Sequence, residues 1–268
     1  MAHEQLILTA ALVAYALAAL ISVIDARRGK GEQSMALVIM TLALALHTVA
    51  ITLRWQRLDH APYVDLFEIL SSNVWSLHVA VLLACLALPY LRPALATALP
   101  ILQVLVVWLF VTEAVDHPAP VTYQTIWLPV HVSFGKLFLG CLIIAVMLGA
   151  VVAVRRFDRR AFAAMPNSQR LDDVAYQFVL LAFLFESLML VAGALWAQDA
   201  WGRYWAWDPL ETWAFLTWLA AAGYLHFRAL QKPSPQLSAL LVFGVFAIAF
   251  LTFFGVPFLS TAPHKGAI

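Results

Sequence analysis

Eight apolar runs, each about 18 to 24 residues long and almost free of charge, follow one another through the 268-residue chain. That length matches the roughly 20 residues an α-helix needs to cross a ~30 Å hydrocarbon core. Cut where polar residues, prolines or arginine clusters interrupt them, the runs extend from about Leu6 to Ile24, Met35 to Leu53, Val74 to Leu91, Ala94 to Val111, His131 to Val154, Val174 to Ala197, Pro209 to Phe227 and Leu237 to Leu259. Composition agrees, with 63% hydrophobic and 12% charged residues and a mean hydropathy of +0.86, against ~45–50% apolar and ~25% charged in an average soluble domain. A water-soluble globule is excluded. In lipid every backbone polar group must be paired internally, and the unbroken runs lack the alternation of barrel strands. The expected fold is therefore all-α, a polytopic membrane protein of eight transmembrane helices forming one domain over residues 1–268.

Charge orients these helices. Eleven of the sixteen basic residues fall in the connections after runs one, three, five and seven: Arg27, Arg28, Lys30, Arg92, Arg155, Arg156, Arg159, Arg160, Arg170, Arg228 and Lys232. The positive-inside rule places those connections inside and both termini on the outer, periplasmic or lumenal side. The first run has no basic region ahead of it and no small-residue cleavage site after it, and reads as a retained helix. Net charge is +1 with no broad basic face, so nucleic acid is not an expected partner. Cys85 and Cys141 lie in apolar runs without CxxC spacing and read as small core residues.

Chemistry gathers on the outer side. Between runs six and seven, the outward connection from Trp196 to Trp213 holds Trp196, Trp201, Trp205, Trp207 and Trp213, half of the ten tryptophans, with Arg203, Tyr204, Asp208 and Glu211. An interfacial belt scatters its aromatics over many helix ends. This concentration instead suits a platform for a large planar apolar ligand. Asp208 before Pro209 has the pattern of an N-cap followed by a first helical residue. His131 opens run five and His264 follows run eight, on the same face as the tryptophans. Two neutral imidazoles there are candidate axial ligands for haem iron.

The run Trp201-Gly-Arg-Tyr-Trp-Ala-Trp-Asp-Pro-Leu-Glu-Thr-Trp-Ala-Phe resembles the WWD signature of the haem-handling proteins of cytochrome c biogenesis. The continuation through Tyr224-Leu225-His226-Phe-Arg228, the segment Leu46-His47-Thr48 to Arg54-Trp55, Pro62 with Asp65-Leu-Phe-Glu68, and Leu128-Pro-Val-His131 resemble the CcsA branch more than the CcmC or CcmF branches. The chain departs from that pattern at Asp65 and Phe67, where the family has Asn and Tyr, and at Pro263 beside His264. The resemblance implies haem ligation by His131 and His264 at the outer site and by His226 within the membrane. It also implies a CcsB/ResB-like membrane subunit supplying a second intramembrane ligand, apocytochrome c as acceptor, and a thioredoxin-like protein reducing its thiols. Haem b is then the transported substrate. It enters near His226 and is presented at the outer site, where its vinyl groups meet the CxxCH thiols of apocytochrome c, so the chain acts as the haem-handling subunit of a holocytochrome c synthase.

His226 lies 18 residues past Asp208, about 27 Å down one helix, near the inner end. Arg228 there and Arg203 outside are candidate propionate contacts. Polar groups within the runs are costly in lipid and mark candidate functional positions. They are His47 and His78, expected to flank the outer pocket, and Glu186, expected neutral or paired with one of them or with Lys136. Glu68 is a further secondary polar candidate. Two other readings use the same residues: a membrane-integral bis-histidine cytochrome carrying electrons between two haems, and a transporter of another ligand. A bacterial plasma membrane is the expected location, with a thylakoid membrane as the other.

Overall fold

A computed structural model describes residues 2–29, 31–158 and 162–256. Among these the secondary structure is entirely helical: α1 (Ala2–Arg27), α2 (Ser34–Leu58), α3 (Leu66–Ala87), α4 (Leu95–Val111), α5 (Trp127–Phe157), α6 (Ser168–Trp201), α7 (Pro209–Gln231) and α8 (Pro235–Phe254). Short 3₁₀ turns at Pro89–Ala94 and Val121–Tyr123 precede α4 and α5. Seven of these helices are long and apolar enough to cross a membrane, making the chain an integral membrane protein, and α7 alone falls outside that group. Its first turns carry Glu211 and Thr212 and its end carries His226 and Arg228, which lowers its mean apolarity.

Three helix boundaries correct the sequence reading. The third helix begins at Leu66, not near Val74, because the Asp65 side chain caps it by accepting from the Glu68 N–H at 2.8 Å. It stops at Ala87 because Pro89 cannot continue the backbone pairing. The outward tryptophan connection is shorter than expected: α6 runs on through Trp201, leaving 202–208 as the link.

The chain forms two compact units, residues 1–118 with 153–167, and residues 119–152 with 168–268. In the first, α1 packs along α2 and α4, and α3 packs on α2 and α4. Ala11, Tyr15 and Ala18 of α1, Met40 of α2, Leu70 and Val74 of α3, and Leu95 and Leu99 of α4 are fully or almost fully buried there. In the second, α7 packs on α6 and α8, and α6 on α8. Two glycines let α5 join them. A Cβ at Gly135 would stand 3.1 Å from Met189 Sδ of α6, and one at Gly149 3.3 Å from the Phe243 ring of α8. Cys85 and Cys141 are free thiols.

Candidate functional site

The start of α7 is fixed by its own sequence. Asp208 Oδ1 accepts from Glu211 N at 2.9 Å, while Glu211 Oε2 accepts from Asp208 N at 3.4 Å, closing a reciprocal capping box with Pro209 in the first turn. The same Oε2 accepts from Ala206 N at 2.7 Å, so one carboxylate oxygen ties down two residues of the connection, Ala206 and Asp208. Trp207 is held at φ 60°, a left-handed conformation rare outside glycine, and Thr212 Oγ1 donates to its carbonyl at 3.2 Å. Gly202, at φ 72°, makes the turn out of α6. The platform is thus rigid before any ligand arrives.

Beneath it, in the second unit, lies an open pocket of about 220 Å³. His131, Met189, Gly193, Trp196, Tyr204, Trp205, Glu211, Thr252 and Phe253 are among its lining residues. The His131 imidazole lies 5.9 Å from the Trp196 ring, tilted by 31°. Trp196 is itself fixed, donating from Nε1 to Thr122 O at 3.0 Å and packing 5.0 Å from Trp201 and 5.9 Å from Tyr123.

His131 Nδ1 is 2.9 Å from the carbonyl of Met189. A carbonyl only accepts, so Nδ1 carries the proton and the lone pair resides on Nε2, the arrangement found in metal-ligating histidines. Gly193, one helical turn beyond Met189, makes this approach possible. A Cβ there would stand 2.8 Å from His131 Nδ1 and 3.0 Å from Cε1. Interior helical glycine costs about 1 kcal/mol relative to alanine, and that cost is the only trace Gly193 leaves in the sequence, where it was overlooked. Met189, Thr252 and Phe253 were overlooked too. The pocket is open and mostly apolar, with aromatic faces beside one oriented imidazole.

The other predicted residues are placed as follows. Trp201 ends α6, Trp207 is 65% exposed, and Trp213 lies in α7 away from the cavity lining, its carbonyl accepting from Thr217 and Thr252. Arg203 is exposed. His264 lies outside the described residues. His226 is exposed on α7. Arg228 is committed to Asp172 and Asp173, at 2.7 and 2.9 Å from Nη2. Glu186 is fully buried in α6, and neither carboxylate oxygen has a hydrogen-bond partner among the described residues, which leaves the neutral form of the two expected states.

His47, His78 and Glu68 belong to the first unit and are not among the residues lining this pocket. The histidines converge on Tyr15 instead. Its hydroxyl is 3.4 Å from His47 Nδ1 and its ring stacks on His78 at 3.9 Å, while His47 Nε2 reaches Ser71 Oγ at 2.9 Å. Glu68 joins a cluster around Arg54, a residue the sequence reading had only noted in passing. Arg54 Nε donates to Glu68 at 2.8 Å, Nη2 to Asp65 at 3.2 Å and to Val115 O at 2.7 Å, and Nη1 to Glu4 at 3.5 Å and Asp116 at 3.4 Å. The guanidinium also lies 5.0 Å from the Phe67 ring centre. Arg57 bonds Glu4 and Asp116, and its hydrogen bonds hold the Asp116 carboxyl below the ordinary carboxylate range.

Residues 1–264 match the family described as Cytochrome C assembly protein. Among curated proteins, "Cytochrome c biogenesis protein CcsA" of Prochlorococcus marinus (strain MIT 9303) is 28% identical over 296 aligned residues, covering 97% of this chain and 93% of the relative. CcsA of Guillardia theta is 29% identical, covering 84% of this chain and 82% of the relative. Among solved structures, "Cytochrome c Heme Lyase CcmF" superposes with a TM-score of 0.74 over 98% of this chain at 21% identity, which shows a shared fold. This chain spans 47% of the length of that CcmF.

Proposed function

The chain belongs to the cytochrome c assembly family, of CcsA/CcmF type, and from that premise we propose that it binds haem, carries it across the membrane and presents it in the tryptophan-rich cavity for attachment to apocytochrome c. The observation that carries this reading is His131 Nδ1 held by Met189 O, which leaves Nε2 as the lone-pair nitrogen at an open, aromatic-lined pocket.

In this reading haem b is the substrate, and His131 and His264 are its axial ligands at the outer site. The rings of Trp196, Tyr204 and Trp205 support the macrocycle, while Trp201, Trp207 and Trp213 brace the platform from outside the lining. Asp208 and Glu211 act structurally, holding the link between α6 and α7 so that the rings do not collapse into the space the ligand needs. Arg203, exposed on that link, is the outer candidate for a propionate. Attachment adds a cysteine S–H across each vinyl double bond, sulfur to carbon and hydrogen to the neighbouring carbon. The reaction therefore asks the protein chiefly for register, and rigid positioning supplies it.

His226 is the ligand of the inner site. Its exposure on α7 suits an iron shared with a histidine of a CcsB/ResB-like subunit, and Arg228, tied to two aspartates, serves there as structure before it serves a propionate. Eight transmembrane helices with both termini outside complete the reading, in a bacterial plasma membrane or a thylakoid.

The test is spectroscopic. The full chain is purified in detergent and its oxidised and reduced haem spectra recorded for wild type, His131→Ala, His264→Ala and His226→Ala. Loss of bound haem in either outer variant, with recovery on adding imidazole, is the expected result. Wild-type spectra from all three would refute the axial assignments. Haem retained at two per chain and never yielded to an apocytochrome would convert the reading to a resident electron carrier.

A further inference from the structure

At the end of the second unit where α6 begins and α7 finishes, an open recess of about 440 Å³ is lined by Gln169, Asp173 and Tyr176 of α6, by Arg228 of α7 and by Lys232 just beyond it. Arg228 follows His226 by two residues, which turns it about 200° around the helix. The recess therefore lies on the side of α7 away from His226. Its polar groups are only partly used. Arg228 Nε donates to Asp172 Oδ2 and Nη2 to Asp173 Oδ1, both at 2.9 Å, and Gln169 Nε2 donates to the same Asp173 oxygen at 3.3 Å. The guanidinium also stands 5.5 Å from the Tyr176 ring centre. Among the described residues, Arg228 Nη1, Asp173 Oδ2 and Lys232 Nζ have no partner.

The signs of these charges decide what can bind. A simple anion meets the repulsion of Asp173, and a simple cation meets that of Arg228 and Lys232. A ligand carrying both charges side by side satisfies all three groups. A phosphate takes the guanidinium N–H and the lysine ammonium, while a primary ammonium donates to Asp173 Oδ2. A quaternary ammonium has no N–H to give and leaves that bond unmade. The Arg228 side chain is 12% exposed and that of Asp173 44%, so the cation sits deeper than the carboxylate. Charged residues here end two long helices, at the level where bilayer headgroups lie. Leu180 and Leu184 follow Tyr176 along α6 by one and two turns and are 42% and 51% exposed, an apolar track for an acyl chain.

We propose that this recess binds a phosphoethanolamine group carried by a bilayer lipid. Its phosphodiester bridges Arg228 Nη1 and Lys232 Nζ, its ammonium bonds Asp173 Oδ2, and an acyl chain follows Leu180 and Leu184 into the membrane. The inference goes beyond the haem reading and stands apart from it, since none of these residues lines the tryptophan-rich pocket. Arg228 belongs to the last turn of α7 and Lys232 caps it. A bound lipid thus clamps the end of the helix that carries His226 without touching that imidazole.

The full chain, purified in detergent and stripped of lipid, is titrated with dilauroyl phosphatidylethanolamine, phosphatidylcholine and phosphatidylglycerol, and bound lipid is counted by native mass spectrometry. Wild type is expected to favour the ethanolamine lipid over the other two by about tenfold. Asp173→Asn is expected to erase that preference, because Asp172 still holds Arg228 while the ammonium loses its counter-charge. Lys232→Gln is expected to weaken all three lipids alike by about tenfold. Should the variants fail to accumulate, wild type titrated with the mono- and dimethylated ethanolamine lipids carries the test, its affinity falling as each N–H gives way to a methyl group. Soluble glycerophosphoethanolamine separates the two sources of this chemistry, and is expected to bind about a hundredfold more weakly than the lipid. Equal binding of the three lipids by wild type overturns the inference, as does a flat methylation series or a preference that survives in Asp173→Asn. Glycerophosphoethanolamine bound as tightly as the lipid overturns the assignment to a bilayer lipid.

Discussion

The Arg54 cluster of the first unit and the tryptophan-lined cavity of the second are both built from polar groups at helix ends, yet they use those groups in opposite ways. Around Arg54, four carboxylates and a carbonyl surround one guanidinium until its donors are consumed. Around the cavity, polar atoms are spent on holding rings apart, and the Trp205 indole N–H is left with nothing to meet among the described residues. A saturated cluster is a fastener. A pocket whose rings are held from outside keeps its space open. The distinction comes from counting hydrogen-bond partners, since both regions are rich in the same residue types.

The largest effect that tests this contrast is expected from Arg54→Leu, which strands Glu68 and Asp65 in buried positions without their guanidinium. Removing one partner of a buried ion pair costs roughly 3–5 kcal/mol, and the expected outcome is a steep fall in yield and melting temperature measured before any haem is added. A well-folded Arg54→Leu protein that fails only in haem binding would make the cluster a ligand site and break the comparison. Gly193→Ala probes the other side. The new methyl group must displace the His131 ring, and haem affinity should fall about 10–100-fold, as when support to a metal ligand is lost. Added imidazole should restore the haem spectrum, while the thermal midpoint changes less than in Arg54→Leu. Asp208→Ala removes the α7 cap, a loss of about 1 kcal/mol, and should broaden the bound-haem spectrum by loosening the link. Asp116→Asn is expected to be smallest. The depressed carboxyl of Asp116 contributes stability above its unfolded pKa of ~3.9, and that contribution is lost as pH falls through its lower folded value. Wild type should therefore lose a small increment of thermal stability below about pH 4 that Asp116→Asn never had, measured as melting temperature against pH.

Apolar run length alone made the helices legible, and Asp208-Pro209 with Glu211 announced the start of α7 because capping is a local matter of residue type and spacing. The same chemistry at Asp65 and Glu68 was passed over, since the apolar run begins well after the cap, and α3 was placed too late. His131 and the tryptophans could be singled out by concentration. Gly193 could not, because its meaning depends on a ring brought from another helix 62 positions earlier in sequence. For His47 and His78, likewise, hydropathy gives depth in the membrane but not the neighbour on another helix, which here is Tyr15.

The 34 residues of α6 make it about 51 Å long, some 20 Å more than the ~30 Å hydrocarbon core. Tilt alone would have to reach about 54° to hide it, beyond the 0–40° seen for spanning helices. One end therefore stands clear of the acyl chains. Met189, Gly193 and Trp196, the α6 residues that shape the cavity, all lie in its last 13 residues. If that is the projecting end, a greasy pigment would be docked above the lipid surface, sheltered by tryptophan instead of by the bilayer, and a water-borne polypeptide would collect it without entering the membrane.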